Sequence, residues 1–448
     1  MFDPSTAKLT GAIDFENERV DKENLLHQQY LRADCIALWE IIQKYRGLPF
    51  VKDVGLKLTR SSVGLAAWRT TLKEPIRVTP DRVQTFARDA YAGGRCEIFR
   101  QHLENGVSVD VTSIYPAMML QPLPVEWIGA AKDIDDFGFH DVTVQVPECY
   151  IPILWKKLEK KLIFPTGIFR GKYFNREIQL AISQGAKIIK YHGGHRFTSS
   201  TDLFRDYVTG CFKMRQENPY PHPLNILGKD LANHCYGKTA EREEKKSLIK
   251  LDMGNPSSWP KQFQVFHSDK MFQRTGFVQV EKIHRSPHML CHIAAAVTAH
   301  GRCHMAENIY LPEWKTIAYT DTDSGKLRSE IPATGGLGGL KREYPIKRGF
   351  YLLPKGYWEE LPDGKIIKKL KGFSKKAMDS ITYDNFRNGK ISVVERKLGG
   401  FRSSLIRENT FLSLLDQRKS VISEYSKRKL LAGGETRPWE ITKEGKIR

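Results

Sequence analysis

No stretch of this chain approaches the roughly 20 uninterrupted apolar residues that a membrane span requires. Its richest apolar run, Met289 to Ala306, carries three histidines and an arginine. The opening Met1-Phe2-Asp3-Pro4 lacks a basic region followed by an apolar one, so export is not expected. The seven cysteines form no Cys-x-x-Cys pair, which argues against structural zinc and for reduced thiols inside a cell. Repeats and low-complexity tracts are also missing. Positive charge, by contrast, is in excess: 71 Lys plus Arg against 51 Asp plus Glu give +20 over 448 residues. That surplus favours a polyanionic partner through steering and counterion release. With a membrane span set aside, nucleic acid is the candidate, and the length allows several packed subdomains.

Breakers and periodicity divide the chain. Tyr30, Ala33, Ala37, Leu38, Ile41, Ile42 and Tyr45 recur at helical spacing and predict a helix from Leu25 to Tyr45, ended by Gly47-Leu48-Pro49. Val107, Val109 and Val111 alternate as in a strand, which Tyr115-Pro116 stops before a helical Ala117 to Leu120. Strands and turns are expected from there to about Phe197. Two helices follow, Asp202 to Gln216 and Leu224 to Tyr236, antiparallel across a turn containing Pro219, Pro221 and Pro223. Residues 241–275 read as a surface insertion, Pro287 to Tyr310 as a long helix, and Gly335 to Gly339 as a loop. From Lys371 to Arg448, 18 Lys plus Arg face 9 acids, the pattern of a DNA-gripping segment.

Three segments carry chemistry. In Tyr319-Thr320-Asp321-Thr322-Asp323-Ser324, a strand starting near Lys315 runs towards a sharp turn expected at Ser324-Gly325. On a pure strand Asp321 and Asp323 share a face, and two such carboxylates repel unless a cation sits between them, which suggests a hard divalent metal. Asp110-Val111-Thr112-Ser113-Ile114-Tyr115-Pro116 places another carboxylate at a strand end. Lys229, Asn233 and Tyr236 line one helical face, offering a cation, an amide and an aromatic ring suited to a nucleotide. Each segment alone also suits a plainer role: a solvated turn, a surface lysine, a glycine-terminated helix. His288, His292, His300 and His304 share a helix but lack a carboxylate at ligand spacing, so a packed helix is expected there rather than a metal site.

In that order, DVTSIYP, KDLANHCYG and YTDTDS resemble the three polymerase motifs of family B DNA polymerases. Tyr91-Ala92-Gly93-Gly94 and Lys355-Gly356-Tyr357 are similar to the Tyr-x-Gly-Gly and Lys-x-Tyr elements of the protein-primed branch from phages and linear plasmids. The resemblance implies an α+β right-hand fold with an antiparallel palm sheet, two-helix fingers and a small thumb. It implies template-directed addition of deoxynucleotides to a primer 3′-end, with magnesium, replaceable by manganese, as cofactor and deoxynucleoside triphosphates as substrates. Asp110 and Asp323 would bridge two metal ions, the Val111 carbonyl would complete one coordination sphere, and Asp321 would be an auxiliary acid. The incoming nucleotide would meet Val111, Ser113, Tyr115, Lys213, Arg215, Lys229, Asn233 and Tyr236. Primer-template DNA would meet Tyr91, Gly93, Gly94, Thr322, Lys355 and Tyr357. A terminal protein primer is a further implied partner, a membrane is not, and the setting would be intracellular.

The expected layout is an exonuclease remnant and linker over 1–60, a first palm segment over 61–122, and a palm insertion like the first terminal-protein region over 123–199. Fingers follow over 200–240, an insertion like the second terminal-protein region over 241–275, the second palm segment over 276–371 and a basic thumb over 372–448. Tyr30-x3-Asp34 resembles the last exonuclease motif, while Asp14-Phe15-Glu16 lies too close to it for a full exonuclease fold to intervene, so no proofreading is expected from this chain. Two rivals remain. One is a catalytically silent DNA-binding remnant; the other, ranked last, is a reverse transcriptase, which would carry adjacent aspartates where Thr322 intervenes here.

Overall fold

Seven strands drawn from residues 96–370 form one wholly antiparallel sheet in the computed structural model. The structure describes residues 21, 23–57, 59–159, 161–241, 244–251, 255, 277–283, 289–398, 414–421 and 425–448. They fall into two compact units, residues 1–75 with 209–238, and residues 76–208 with 239–448.

In the larger unit the strands are β1 (Cys96–Ile98), β2 (His102–Val111), β3 (Ile317–Asp321), β4 (Ser324–Leu327), β5 (Leu340–Leu353), β6 (Gly356–Glu360) and β7 (Ile366–Leu370). Their spatial order is β1-β3-β4-β2-β5-β6-β7. This order inserts the β3–β4 hairpin between β1 and β2, although some 200 residues separate those segments in the chain. Every residue of β3 is buried, whereas β2 runs from a mostly exposed first half to a mostly buried second half. Tyr319, Tyr351 and Tyr357 pack with Ile98, Leu103 and Ile346 in one core cluster. Phe350, Trp358 and Phe386 anchor another, with Met378, Ile381 and Ile391.

Helix Cys291–Met305 is apolar nearly all round, as buried helices are, and continues into a π-helical turn, Ala306–Tyr310. His292 has no exposed surface, and the rings of His300 and His304 bond the carbonyls of Pro122 and Gly338. Burial lowers the pKa of His292 and of His300 to about 4, so these are packed histidines. His288 lies outside the described residues. Among the described residues no helix is long and apolar enough to cross a membrane.

Residues 123–199 form a second sheet whose strands, Leu123–Ala130, Gly138–Val146, Thr166–Phe174 and Lys187–Ser200, are antiparallel. The expected run of strands and turns is interrupted by helix Asn175–Ser183, whose Ile178 and Ala181 are buried. Parts of the basic tail pair with other elements of the larger unit. Glu440–Ile441 adds to this second sheet, parallel to Thr166–Phe174, and Tyr425 and Thr436 bond β1 and the residue after it. Two of the tail's cations, Lys427 and Arg428, likewise bond inward, to the Cys96 and Tyr150 carbonyls, and serve the fold.

Most of the segment expected as fingers falls in the same compact unit as the segment expected as exonuclease remnant. Helices Leu25–Arg46 and Arg60–Thr70 share a unit with most of Arg205–Glu217 and Pro223–Thr239. Asn24 caps the first of these by accepting the Leu26 N–H at 2.9 Å. The Arg60–Asp230 ion pair and the Phe50 ring against Gly210 join the two sequence segments. Asn225 donates to the carbonyls of Arg215 and Asn218, both at 2.9 Å, closing the turn between the last two helices. A Cβ added at Gly228 would lie 2.7 Å from the Cys211 carbonyl, so these helices touch backbone to backbone. Of the insertion expected over 241–275, only residues 241, 244–251 and 255 are among those described; Glu244–Lys250 pairs with Phe277–Ile283. Asp14-Phe15-Glu16 lies outside the described residues.

Candidate acidic site

β3 stops at Asp321, and the chain reverses over Thr322 and Asp323, so Ser324 and Gly325 belong to the returning strand rather than to the turn. Asp323 consequently leaves the pleat, and the strand argument for a shared face gives way to a turn geometry. Thr322 sits at φ +67°, an outlier for a β-branched residue that persists only where neighbours over-determine it. The restraints are visible. The Thr322 N–H donates to the Arg95 carbonyl at 2.8 Å. A Cβ on Gly94 would come within 2.7 Å of the Thr322 methyl, so only glycine fits there. Tyr310 and Thr320 hydroxyls lie 2.9 Å apart, and Thr320 bonds the Ser324 carbonyl across the turn at 2.9 Å.

Asp110, near the end of β2, stands opposite Ser324, and the next N–H, of Val111, donates to the Asp323 carbonyl at 2.8 Å. The first and third sequence motifs thus meet on adjacent strands. Three carboxylates gather there and lysines answer two of them: Lys341 is 2.8 Å from Asp110, Lys355 is 2.8 Å from Asp321, and Lys369 is 3.9 Å from the other Asp321 oxygen. Among the described residues, no cation closes an ion pair on Asp323. Its carboxyl is pushed up to about 6, first by burial and then by the charge of Asp110. Asp110 is raised too, by burial, against the pull of Lys341.

These groups border a cavity of about 380 Å³. A buried network lies along it. Lys326, 3% exposed, donates to Ser108 and Tyr344, each at 2.7 Å. The Ser108 hydroxyl donates to Glu343 at 2.9 Å, and the Tyr344 hydroxyl donates to Glu359 at 2.9 Å. Tyr351 donates to the second Glu359 oxygen at 3.0 Å. A network satisfied at every member rigidifies its surroundings.

No cluster of three or more His, Cys, Asp or Glu side chains capable of holding a metal occurs among the described residues. The donor set is instead the carboxylates of Asp110 and Asp323, the latter without an ion pair among the described residues, in a water-accessible cavity. That set fits magnesium, which keeps most of its oxygens from water and phosphate and takes few from protein.

The remaining sequence-derived residues divide by location. Tyr91 to Gly94 form a loop held from behind by Arg302, which donates to the Ala92 and Gly93 carbonyls, while Lys157 donates to the Tyr91 carbonyl at 2.8 Å. Lys355, at φ +60°, also donates its N–H to the Tyr319 hydroxyl at 2.8 Å, and Tyr357, 7% exposed, lines the cavity. Both are turned inward to the acids. Val111 is buried, Ser113 occupies a left-handed position at φ +51°, and Tyr115 packs beside Gly301 in the short helix Ile114–Met118. Lys213, Arg215, Lys229, Asn233 and Tyr236 belong to the smaller unit. Lys229 is exposed, Lys213 faces Glu217 at 3.7 Å, and burial lowers the pKa of Arg215. The Asn233 amide donates at 2.8 Å to the Lys229 carbonyl of its own helix. Sequence reasoning missed Lys326, Lys341, Glu343 and Lys369, because nothing local to them signals which strands they face.

Residues 3–266 match the family described as DNA polymerase type B, organellar and viral. A probable DNA polymerase of Ascobolus immersus is 25% identical over 366 residues, covering 74% of this chain and 29% of that protein. One of Neurospora intermedia is 25% identical over 418 residues, covering 84% of this chain and 42% of that protein. The chain therefore spans less than half the length of these relatives. Among solved structures, phi29 DNA polymerase complexed with primer-template DNA and incoming nucleotide substrates superposes with a TM-score of 0.72. That match is 22% identical and covers 92% of this chain and 76% of the phi29 chain, a likeness of fold.

Proposed function

The chain belongs to the organellar and viral type B DNA polymerases, and we propose that its acidic site transfers deoxynucleotides to the 3′-end of a primer paired with a template. The observation that carries this reading is the meeting of Asp110 with Asp323, which forms no ion pair among the described residues, where β2 meets the turn before β4. Phosphoryl transfer asks a protein mainly to position groups and balance charge. Bound magnesium would neutralise triphosphate charge and lower the pKa of the primer hydroxyl. Asp110 and Asp323 would hold it, with the Val111 carbonyl beside them. Asp321, tied to Lys355 and Lys369, would serve as an auxiliary acid that keeps both lysines aimed into the cavity. There Lys355 and Tyr357 would meet the terminal nucleotide of a strand. Thr322 and Gly94, locked against each other, would set the floor beneath it, with Tyr91 and Gly93 in the adjoining loop.

Exposed Lys229 and Lys213, with Arg215, would grip the triphosphate. Ser113 and Tyr115 would contact the sugar, Asn233 would release its intrahelical bond to reach the nucleotide, and Tyr236 would stack near the base. Primer-template DNA is the proposed partner, drawn by the +20 charge. Deoxynucleoside triphosphates and magnesium, or manganese in its place, complete the reaction, in an intracellular setting. Initiation from a protein hydroxyl is a finer proposal, supported by the Tyr-x-Gly-Gly and Lys-x-Tyr segments beside the acids; extension in the absence of any oligonucleotide tests it.

A second reading, a silent DNA-binding remnant, has one observation in its favour: Lys341 and Lys355 already neutralise Asp110 and Asp321. Primer extension with magnesium separates the two. The polymerase reading expects extension by the wild type and none by Asp323→Asn at unchanged DNA affinity; binding without extension by the wild type would overturn it.

A further inference from the structure

On one side the acid turn is held by β1 and by Gly94 and Arg95, which lead into it, and β1 is only three residues long. Its three pairs, Cys96 with Asp321, Glu97 with Thr320 and Ile98 with Tyr319, leave its other edge bare of strand among the described residues. A strand this short does not hold its own register, and a slip of one residue would turn every side chain over and carry the Arg95 carbonyl away from Thr322.

That edge is covered by the end of the chain. Tyr425 bonds Ile98 through its hydroxyl, accepting the N–H at 3.0 Å, and Lys427 donates to the Cys96 carbonyl at 2.9 Å. The Thr436 N–H reaches the Phe99 carbonyl at 3.0 Å, and the Gln101 N–H reaches that of Gly434 at 2.8 Å. Arg428, with no exposed surface, is the hub. It donates to the Thr436 hydroxyl at 2.8 Å and the Tyr150 carbonyl at 3.0 Å, and lies 3.6 Å from the carboxylate of fully buried Glu97. Glu97 is in turn 2.8 Å from the Arg95 guanidinium. Phe99 and Tyr150 flank Arg428, and Phe164 flanks Arg95, in cation–π contact. The path from Arg428 through Glu97 to Arg95 therefore ends at the carbonyl that receives the Thr322 N–H.

We infer that residues 425–437 brace the acid turn and that Arg428 is a positioning residue for Asp321 and Asp323, acting through β1. The inference deepens the polymerase reading and rests on it for its catalytic consequence. It also reassigns part of the basic tail, since Lys427 and Arg428 point into the protein and are not available to grip DNA.

The test uses the full chain with Arg428→Met, which removes the charge at similar volume, and Thr436→Val, which removes one hydroxyl and leaves the ion cluster. Hydrogen exchange of residues 318–325 is read without metal or DNA, and primer extension is titrated with magnesium. Expected are exchange at 320–324 faster by about tenfold or more, with protection of residues 340–353 unchanged. Expected too are kcat lower by about tenfold or more and a magnesium midpoint raised several-fold, with the nucleotide KM little changed. A merely structural arginine would lower Tm and leave exchange at the turn and the magnesium midpoint as in wild type; that result overturns the inference. If Arg428→Met does not fold, Thr436→Val decides by the same readouts. If the wild type fails to extend primers, the polymerase reading falls while the exchange arm still judges the brace.

Discussion

Asp323→Asn is expected to stabilise the metal-free protein while abolishing extension. In the folded chain the carboxyl of Asp323 titrates at about 6 against an ordinary 3.8, because burial and the neighbouring Asp110 disfavour its charge. A carboxyl with a raised folded-state pKa adds stability below its unfolded pKa and loses that contribution as pH rises through the folded value. The relevant window here is pH 3.8 to about 6. At 1.36 kcal/mol per pH unit, the ionised form costs at most about 3 kcal/mol, and partial solvent access reduces that to about 1–3 kcal/mol. Asparagine keeps the shape without the charge. Thermal unfolding in EDTA from pH 4 to pH 8 is the assay: the variant matches wild type near pH 4 and gains a few degrees above pH 6. Magnesium narrows the gap by stabilising only the wild type. A variant less stable than wild type at pH 8, or a difference that does not depend on pH, refutes the reasoning.

Gly94→Ala forces a methyl to within 2.7 Å of the Thr322 side chain, so a destabilisation of about 1–3 kcal/mol is expected, with a fall in extension larger than the folded fraction explains. Urea titration beside single-turnover extension checks it. Lys341→Ala frees Asp110 from a half-exposed ion pair, so stability changes by less than about 1 kcal/mol while the metal-free site binds manganese several-fold more tightly, as read by electron paramagnetic resonance. Phe386→Ala empties the centre of the second core cluster and costs about 3–5 kcal/mol by denaturant unfolding, with manganese affinity retained in whatever fraction remains folded.

The local signals in the sequence marked its local structure well. Helical spacing from Leu25 to Tyr45 matches Leu25–Arg46, and the three prolines mark the connection between Arg205–Glu217 and Pro223–Thr239. Helix Asn175–Ser183 was missed because its pattern is one short amphipathic stretch between long strands. The hairpin was recognised but its turn was set two residues late, since Ser324-Gly325 carries the usual turn residues while the actual turn uses a strained Thr322 held by Arg95 and Gly94.

By itself the sequence determined which residues the chemistry has available: three carboxylates in two short motifs, a lysine, asparagine and tyrosine on one helix face, and a surplus of cations. Strand period, turn residues and helix spacing are properties of neighbours in the chain, and so could be read there. Only the tertiary structure decided that Asp110 faces Ser324, that Lys341 and Lys355 pair with two acids while Asp323 forms no ion pair among the described residues, and that Arg428 turns inward to brace β1. Those are outcomes of tertiary contact between segments from 34 to more than 300 residues apart, and composition fixes how much charge a chain carries but not which way each side chain points.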